Sequence, residues 1–452
     1  MEWTGKKVLV FGSGKSGIGA ASLLSALGAK PVLYDGNDGL DPADILDQLE
    51  DKETEIILGA FPEEKLAGLE LVIMSPGVPC DLPVVELFKK VGIPIWGEVE
   101  LAFRVGKGRV LAITGTNGKT TVTTLLGEIM KDYYPEVYVV GNIGNPYTDA
   151  APLMTEKAVT VAEISSFQLE TISTFHPEVS CITNITEDHL NRHHTMEEYI
   201  RVKELITENQ TERDFCVLNY EDPVLREFGS SVRAKVIYFS SRRALDEGIY
   251  YQAGEIRIAD AGKDQLLVKT DDLHLLGLHN YENIMCAAAM ALHAGVPTDS
   301  IVRTICRFRG VAHRIEYIDE KAGVKYYNDS KGTNPDAAIK GIQAMNRPTI
   351  LIGGGYDKQS SYEEWIRSFD GKVRYLVLIG QTKEKIAETA RNCGFPNDRI
   401  LLRENLEEAV ETCKLLAETG DAVLLSPACA SWGQFDNYEQ RGDVFRELVR
   451  KM

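Results

Sequence analysis

The segment Gly-Thr-Asn-Gly-Lys-Thr-Thr at residues 115–121 constrains the fold of this chain more than any other part of its sequence. It follows the apolar run 109–113 and precedes a helical pattern at 122–130, so it predicts a strand, a tight glycine turn and a helix start. Such a turn offers backbone N–H groups to phosphate, while its lysine reaches the outer phosphates and a threonine hydroxyl binds Mg²⁺. The usual loop of this kind has a glycine where this chain has Ile113. We therefore expect a shorter variety of phosphate-binding loop and a nucleoside triphosphate as substrate.

The spacing of glycine-rich strand ends indicates how the rest of the chain is organised. Three such ends each open an alternating pattern of strands and helices, which is typical of parallel sheets. A length of 452 residues exceeds what one hydrophobic core supports, and we expect an α/β fold of three consecutive domains at 1–98, 99–310 and 311–452. Strands are predicted at 7–11, 30–34, 55–58, 71–74 and within 91–97; at 110–113, 137–140, 158–163, 179–185 and 215–219; and at 325–328, 349–352, 375–379 and 422–426.

The composition argues against several classes of partner. The 49 basic and 67 acidic residues give a net charge of −18 without long charged blocks, whereas a nucleic-acid groove needs clustered Lys and Arg. No apolar stretch approaches the roughly 18 residues that cross a bilayer, and residues 1–7 lead into a strand without a secretory signal. The eight cysteines form no C-x-x-C pair and are expected to be free thiols. We expect a cytoplasmic protein with neither a nucleic-acid partner nor a membrane span.

A second glycine motif lies in the first block and has two interpretations. Gly12, Gly14 and Gly17 form a G-x-G-x-x-G turn after a strand, and Asp35 ends the next strand about twenty residues later. This is the dinucleotide fingerprint, and on this block alone an NAD-dependent oxidoreductase is a serious alternative. The motif indicates backbone amides that face a nucleotide without identifying its base. Gly77 lies in a Pro-bounded turn whose amides either meet a diphosphate or form a plain loop.

Polar side chains around the phosphate loop indicate a metal centre. Glu163 ends one strand and His189 lies beyond the next, on the side of a parallel sheet where the phosphate loop lies. Lys203 shares a predicted helix face with Tyr199 and Ile200, so its ammonium points to the interior, where it loses solvation. A neutral buried amine reacts with CO₂ to give a carbamate, which is an anionic metal ligand; alternatively the long stem of the lysine reaches the surface. Spacing alone does not decide between the two.

Further polar runs complete the pattern. Asn283 lies in the first turn of an Ala-rich helix and is available to a base or a phosphate. The third block contains Asn-Asp-Ser-Lys-Gly-Thr-Asn-Pro at 328–335 and Ser-Pro-Ala-Cys-Ala-Ser at 426–431. Together with Gly-Thr-Asn-Gly-Lys-Thr at 115–120, in this order and in successive blocks, they closely resemble the Mur ligase family over essentially the whole chain. Within that family the likeness is greatest to the members that add D-glutamate.

The resemblance implies a fold, an activity and cofactors. It implies a Rossmann-like N-terminal domain for the UDP moiety, a P-loop-type central ATPase domain, and a Rossmann-like C-terminal domain for the incoming amino acid. The substrates would be UDP-N-acetylmuramoyl-L-alanine, D-glutamate and ATP, with two Mg²⁺ ions and a carbamylated Lys203, in a monomer. The substrate carboxylate would attack the γ-phosphate of ATP to give an acyl phosphate, from which the amine of D-glutamate then displaces phosphate.

The resemblance also assigns roles to residues, on the positions that match the family's motifs. The implied catalytic residues are Lys119, His189, Lys203 and Lys331. The implied ATP contacts are Gly115, Thr116, Asn117, Gly118, Lys119, Thr120, Thr121, Asn283, Arg314 and Asp329. The implied contacts of the UDP substrate are Ser13, Gly14, Asp35, Gly77 and Asn142, and those of D-glutamate are Thr333, Lys358, Ser431 and Tyr438. The implied metal ligands are Thr120, Glu163, His189 and Lys203.

Other functions remain open at the level of the sequence. Sister Mur ligases that take L-alanine or a diamino acid share the chemistry, as does folylpolyglutamate synthase, which normally lacks the first domain. A dehydrogenase would account for the first glycine motif but not for the loop at 115–121. A nucleotide-binding switch or scaffold would bind ATP without releasing phosphate when the other substrates are supplied.

Overall fold

The computed structural model describes residues 2–452, and the chain divides into two compact units. Unit 1 comprises Met1–Leu267 and Glu282–Thr304, and unit 2 comprises Val268–Tyr281 and Ile305–Met452. All eight cysteines are free. Within residues 2–452, no helix has both the length and the apolar character needed to span a membrane.

The first sheet of unit 1 is parallel throughout, with strand order β3-β2-β1-β4-β5. Its strands are β1 (Lys7–Phe11), β2 (Lys30–Asp35), β3 (Glu55–Leu58), β4 (Leu69–Met74) and β5 (Ile95–Gly97), and its helices are α1 (Lys15–Ala26), α2 (Pro42–Gln48), α3 (Pro83–Lys90) and α4 (Glu98–Val105). The turn between β1 and α1 is tight, because a Cβ on Gly17 would lie 1.8 Å from the carbonyl oxygen of Gly12. The sheet thus brings this turn and the ends of β2 and β4 to one edge.

The second sheet of unit 1 is larger, with strand order β14-β13-β12-β11-β10-β9-β6-β8-β7. Its strands are β6 (Arg109–Thr114), β7 (Val137–Gly141), β8 (Val159–Glu163), β9 (Val179–Ile182), β10 (Phe215–Asn219), β11 (Lys235–Ser240), β12 (Gly248–Gln252), β13 (Glu255–Asp260) and β14 (Lys263–Lys269). The helices of this part of the chain are α5 (Lys119–Tyr133), α6 (Tyr147–Ala150), α7 (Ser166–Leu169), α8 (Leu190–His193), α9 (Met196–Glu204), α10 (Pro223–Phe228), α11 (Leu278–His293) and α12 (Thr298–Arg307). β6 is central and lies parallel to both β8 and β9, so the loop after it lies between the ends of those two strands.

Unit 2 contains one sheet, with strand order β15-β16-β20-β17-β18-β19. Its strands are β15 (Glu316–Lys321), β16 (Val324–Asn328), β17 (Thr349–Gly354), β18 (Val373–Ile379), β19 (Ile400–Leu402) and β20 (Ala422–Leu425). Its helices include α13 (Pro335–Ala344), α14 (Glu363–Arg367), α15 (Lys383–Asn392), α16 (Leu406–Leu416) and α17 (Tyr438–Lys451). Only β15, at the edge, is antiparallel to its neighbour, so β16, β17 and β20 end side by side.

The structure confirms the predicted strands within a few residues and adds others. β9 ends at Ile182 rather than at residue 185, and the side chains of the next two residues bond to the phosphate loop. The strands β11 to β15 and β19 were not predicted from the sequence. β13 and β14 are partly exposed, so they lack the continuous apolar run that marks a buried parallel strand.

Candidate active site

The phosphate loop joins β6 to α5 and has two positions that only glycine can occupy. Gly115 has φ +138°, and a Cβ there would lie 1.9 Å from the hydroxyl oxygen of Thr183. Gly118 has φ +87°, and a Cβ there would lie 2.3 Å from Oδ1 of Asn283. Both φ values lie where side chains are strained, and both positions are filled by neighbouring polar atoms. The loop is therefore held tightly against the ends of β9 and α11.

The first turn of α5 carries the hydroxyl groups that the sequence predicts to bind phosphate and metal. The helix begins at Lys119 immediately after the left-handed Gly118. Thr120 is half-buried and Thr121 is buried in that turn. The first N–H groups of a helix have no partner within it and favour anions. The loop therefore has the geometry that an anion site needs, and its role as a phosphate site stays a prediction.

The residues after β9 fix the backbone of the loop. The Thr116 N–H donates to the Asn184 carbonyl at 2.8 Å. The Asn117 N–H donates to Asn184 Oδ1 at 2.9 Å, and the Asn184 amide donates back to the Asn117 carbonyl at 3.1 Å. The Thr183 hydroxyl donates to the same carbonyl at 2.6 Å. Sequence reasoning missed Thr183 and Asn184, although polar residues directly after a buried strand were the available signal.

Two lysines converge on one carbonyl of the loop. Lys119 Nζ donates to the Gly115 carbonyl at 2.8 Å, and Lys203 Nζ donates to it at 2.9 Å. Lys203 is 2% exposed, so the predicted buried position is confirmed and the surface-reaching alternative is wrong. Burial, together with the charge of Lys119, lowers the pKa of Lys203 to about 7, while Asp188 acts weakly in the other direction. A large fraction of this amine is therefore neutral and nucleophilic near neutral pH.

Glu163 has the arrangement expected of a metal ligand. It ends β8 directly beside Ile113 of β6 and is 1% exposed. Its Oε1 accepts from the Asn142 amide at 2.9 Å, and its backbone carbonyl accepts from the Asn142 N–H at 2.9 Å. Its Oε2 is buried without a hydrogen-bond partner. A buried carboxylate oxygen costs free energy unless something pairs with it, which a cation would do.

The protein supplies few metal ligands of its own at this place. Among residues 2–452, no three side chains of His, Cys, Asp or Glu form a group that could hold an ion. Mg²⁺ is commonly bound by one or two carboxylates, with water and substrate phosphates as its other ligands. Glu163, with one free oxygen beside a phosphate loop, fits that pattern.

His189 is placed by an unusual backbone conformation. Its φ is +52°, and it precedes α8 as the N-cap residue. The side chain is about half exposed, lies 3.5 Å from an Asp188 oxygen, and has its ring centre 5.0 Å from that of Phe167. A left-handed non-glycine residue next to a binding loop is a recognised mark of functional strain. Its role as a metal ligand stays a prediction.

The first sheet presents a carboxylate where the second presents cations. The Ser13 N–H and hydroxyl donate to Asp35 Oδ2 at 2.9 and 2.7 Å, and the Asn37 N–H donates to Oδ1 at 3.0 Å. Although partial burial opposes it, these hydrogen bonds hold the pKa of Asp35 below its usual value. A Cβ added at Gly14 or at Gly77 would meet no atom within 4 Å, so the chain borders open space at both positions. This edge can receive a ligand close to its backbone.

In unit 2 the predicted nucleotide contacts differ in exposure. Asp329 is 5% exposed and accepts from the Ser426 hydroxyl at 2.7 Å and from the Ile315 N–H at 3.3 Å. Burial raises the pKa of Asp329 to about 7 despite these hydrogen bonds. Arg314 is exposed between His313 and Ile315, whose φ values are +63° and +47°. The Arg314 side chain on this strained turn is therefore at the surface, whereas the Asp329 carboxyl group is buried.

The loop after β16 is fastened by a buried arginine that the sequence analysis did not identify. Arg441 is 1% exposed and donates to the Ser330 hydroxyl at 2.9 Å and to the Ser330 carbonyl at 2.8 Å. The Ser330 hydroxyl donates to the Tyr438 carbonyl at 2.8 Å, and Lys331 Nζ lies 5.4 Å from the Tyr438 ring centre. The predicted residue Thr333 lies two positions after Lys331, and its N–H donates to the Lys331 carbonyl at 2.8 Å. Ser330 is 111 positions away from Arg441 in sequence, and no local pattern reveals this contact.

The remaining predicted residues of unit 2 lie on two neighbouring loops. Lys358 is exposed, and its Nζ lies 4.9 Å from the ring centre of Trp432. Ser431 is 5% exposed and precedes Trp432. The Tyr356 N–H donates to the Ala430 carbonyl at 2.9 Å, which holds the two loops together. The structure therefore brings Lys358 and Ser431 to one edge of the sheet.

Three family models match the chain in succession. They are the Mur ligase MurD-like N-terminal domain at residues 6–97, the Mur ligase middle domain at 113–291, and the Mur ligase glutamate ligase domain at 313–429. Among solved structures, UDP-N-acetylmuramate-alanine ligase of Thermotoga maritima has a TM-score of 0.57 at 18% identity, covering 98% of this chain and 99% of that one. A pseudomurein peptide ligase type C of Methanothermus fervidus has a TM-score of 0.52 at 19% identity, with 99% of both chains covered. At these identities the structures show a shared fold.

Curated relatives match at much higher identity. A protein of Lachnospira eligens named UDP-N-acetylmuramoylalanine--D-glutamate ligase is 53% identical, with 100% of both chains covered. A protein of the same name in Lachnoclostridium phytofermentans is 53% identical, covering 100% of this chain and 99% of that one. Similarity of this degree over the full length, on the fold and phosphate loop described above, shows that the chain belongs to the Mur ligase family.

Proposed function

We propose that the chain is an ATP-dependent ligase that joins D-glutamate to UDP-N-acetylmuramoyl-L-alanine in peptidoglycan synthesis, giving ADP and phosphate. The observation that carries the proposal is the 53% identity over the whole chain to relatives named for this reaction. Family membership also removes the oxidoreductase alternative. The first glycine turn then serves a UDP moiety.

Three domains, at 1–98, 99–310 and 311–452, would bind the UDP substrate, ATP and the amino acid, respectively. The three family-model matches fall within these ranges, which supports the boundaries. Ser13, Gly14, Asp35 and Gly77 would contact the UDP substrate, and Asn142 would contact it near Glu163. The open space beside Gly14 and Gly77 supports this role for those two residues.

The chemistry requires two anions to meet. The carboxylate of the UDP substrate attacks the γ-phosphate of ATP, the bond to ADP breaks, and an acyl phosphate results. The D-glutamate amine attacks the acyl carbon, loses a proton, and displaces phosphate. Lys119 and the amides of residues 115–118 would stabilise charge on the phosphates, which is the main electrostatic task in phosphoryl transfer.

Metal ions would supply further positive charge at the same place. Bound Mg²⁺, in two sites, would neutralise the phosphate oxygens that gather negative charge. Thr120, Glu163, His189 and a Lys203 carbamate would hold it. The carbamate forms when the neutral Lys203 amine adds to CO₂ and releases one proton. The buried, partly neutral amine and the unpaired Glu163 oxygen support this assignment.

The remaining assignments concern the nucleotide and the amino acid. Asn283, Arg314 and Asp329 would contact ATP. Lys331 would lie near the reacting groups. We assign D-glutamate to Thr333, Lys358, Ser431 and Tyr438, because a dicarboxylic acid needs a cation and hydroxyl donors. We place the reaction in the cytoplasm, which agrees with eight free cysteines, and we propose a monomer.

A phosphate-release assay tests the function. Purified protein would receive ATP, Mg²⁺, UDP-N-acetylmuramoyl-L-alanine and each of a panel of amino acids. We expect release, with the matching peptide product by mass spectrometry, for D-glutamate above all others. Lys119→Ala should abolish it, while Lys131→Ala, in the exposed last turn of the same helix, should not. Product with L-alanine or a diamino acid instead would assign a sister ligase, and absence of any product would refute the proposal.

A further inference from the structure

We propose that Arg192 is a positioning residue that fastens residues 75–82, here called the substrate loop, to the segments that carry Glu163 and His189. The proposal rests on the function proposed above, because that function makes Glu163 and His189 metal ligands. Arg192 is itself outside every motif of the phosphate loop and touches none of the predicted ligand-binding side chains through a described hydrogen bond. Arg192 would therefore act on the reaction only by positioning these segments.

Arg192 first ties together the two segments beside the phosphate loop. Its Nη2 lies 2.5 Å from Glu170 Oε2, and the two side chains are 11% and 14% exposed. Arg192 lies in α8, three residues after His189, and Glu170 follows α7, seven residues after Glu163. A largely buried ion pair of this kind is strong when its hydrogen bonds are satisfied. It therefore sets the distance between the chain segments on which both predicted metal ligands lie.

The same guanidinium also holds the substrate loop. Arg192 Nη2 donates to the Val78 carbonyl at 2.8 Å, one residue after Gly77. The Cys80 thiol donates to Glu170 Oε2 at 3.5 Å, and His194 Nε2 lies 3.3 Å from Asp81 Oδ2. The loop that contains Gly77 is thus attached at three points: through Val78 to Arg192 of α8, through Cys80 to Glu170 after α7, and through Asp81 to His194 directly after α8. One arginine connects the predicted UDP-substrate contact with the predicted phosphate and metal centre.

Only arginine fits this position well. Its planar fork donates to Glu170 and to Val78 while its guanidinium carbon lies 5.0 Å from the ring centre of Phe167. Lysine keeps the charge but is a point donor that lacks the fork. Phosphoryl transfer between two bound substrates is sensitive to displacements of about 1 Å, which can cost about 100-fold in rate. We therefore expect the loss of the Arg192 guanidinium group to weaken substrate binding and slow turnover, rather than only to lower stability.

The test compares Arg192→Lys with a matched control. Arg104→Lys changes another arginine of unit 1 that bonds a buried glutamate, Glu100, at 2.7 Å and lies 4.0 Å from the ring centre of Trp96. Arg192→Lys should raise KM for the UDP substrate about tenfold and lower kcat, since hydrogen bonds of a charged donor are lost. Arg104→Lys should leave both values near those of the wild type. Glu170→Gln, which keeps the shape of the partner, should act in the same direction as Arg192→Lys.

Amide hydrogen exchange of the substrate loop gives a second readout that does not require turnover. Exchange within residues 75–82 should be about tenfold faster in Arg192→Lys than in the wild type and unchanged in Arg104→Lys. If folded Arg192→Lys and Glu170→Gln both keep wild-type KM and wild-type loop exchange, the positioning role is wrong. If the wild type forms no peptide product while loop exchange still rises in Arg192→Lys, the proposed function fails and the fastening of the loop stands.

Discussion

The two glycine turns of unit 1 occupy equivalent places in their sheets but differ in backbone geometry and in the charged groups that they bind, since Gly14 before α1 has φ −74° and Gly118 before α5 has φ +87°. Each follows a parallel strand and opens a helix, at β1–α1 and at β6–α5. At the first turn the charged side chain that the backbone binds is Asp35, which accepts from Ser13 and Asn37, while Lys15 of the same turn is exposed. At the second turn Lys119 and Lys203 share the Gly115 carbonyl. A carboxylate suits neutral ligand groups that donate hydrogen bonds, whereas two amines suit a triphosphate, so the charges bound at each turn fit the two proposed ligands.

The largest effect is expected when Lys203, the buried lysine of the second turn, is removed. Lys203→Ala should lower turnover about 10³-fold, because the group that would hold charge beside the phosphates is lost. Arg201→Ala removes an exposed arginine from the same helix and should be near neutral. Steady-state phosphate release measures both. Wild-type turnover in Lys203→Ala would show that the second turn does not depend on its buried amine.

Glu163→Gln should have the next largest effect. The amide keeps the shape and the contact with Asn142 but loses the charge that would hold Mg²⁺, so turnover should fall about 100-fold. The Mg²⁺ concentration for half-maximal rate should rise as well. Glu227→Gln changes an exposed carboxylate of α10 and serves as the control. If the Mg²⁺ requirement does not change in Glu163→Gln, the carboxylate is structural.

Alanine at one glycine of each turn would sharpen the comparison. Gly115→Ala places a Cβ 1.9 Å from the Thr183 hydroxyl at φ +138°, and it should cost about 2 kcal/mol or more in unfolding free energy. Gly14→Ala meets no protein atom within 4 Å, so its stability should match the wild type. Thermal unfolding measures the difference. A higher KM for the UDP substrate, with KM for ATP unchanged, is expected in Gly14→Ala alone.

The pH dependence of turnover tests the amine. The pKa of Lys203 is lowered to about 7, so the neutral form that adds to CO₂ grows as pH rises through that value. Turnover should therefore increase several-fold between about pH 6 and about pH 8, and more steeply when bicarbonate is supplied. The folded protein binds fewer protons at this site than the unfolded chain between about 7 and 10.5, so burial of the charge destabilises it most below pH 7. Lys203→Met should consequently be more stable than the wild type in acid, and equal stability there would contradict the burial argument.

The smallest effect is expected at the first turn. Asp35→Asn keeps an acceptor but loses the charge that Ser13 and Asn37 stabilise, so KM for the UDP substrate should rise only a few-fold. The pKa of Asp35 is lowered in the folded state, which means that its contribution to stability is present above its unfolded pKa and is lost as pH falls through the folded value. The difference in melting temperature between Asp35→Asn and the wild type should be small at neutral pH and vanish in acid. A larger effect on ATP than on the UDP substrate would reverse the assignment of the two turns.

The sequence predicted the features that local patterns encode. Buried parallel strands are continuous apolar runs, so β1, β6 and β20 were found, and the spacing in α9 placed Lys203 on the inward face. Edge strands such as β14, whose first four residues are exposed, lack such a run and were not predicted. Contacts between distant segments were missed as well. Arg192 bonds Val78 at a separation of 114 positions, and only the packed sheets bring the two together.

The shared carbonyl of Gly115 has a consequence for how mutants of this protein are interpreted. Since the positive charge of Lys119 helps to keep the neighbouring amine unprotonated, removing it would let that amine hold its proton more firmly and react less with dissolved carbon dioxide. A variant made to study nucleotide affinity would then also carry less of the proposed carbamate. Mass spectrometry of the intact variant, under conditions that preserve the labile adduct, would separate the two defects.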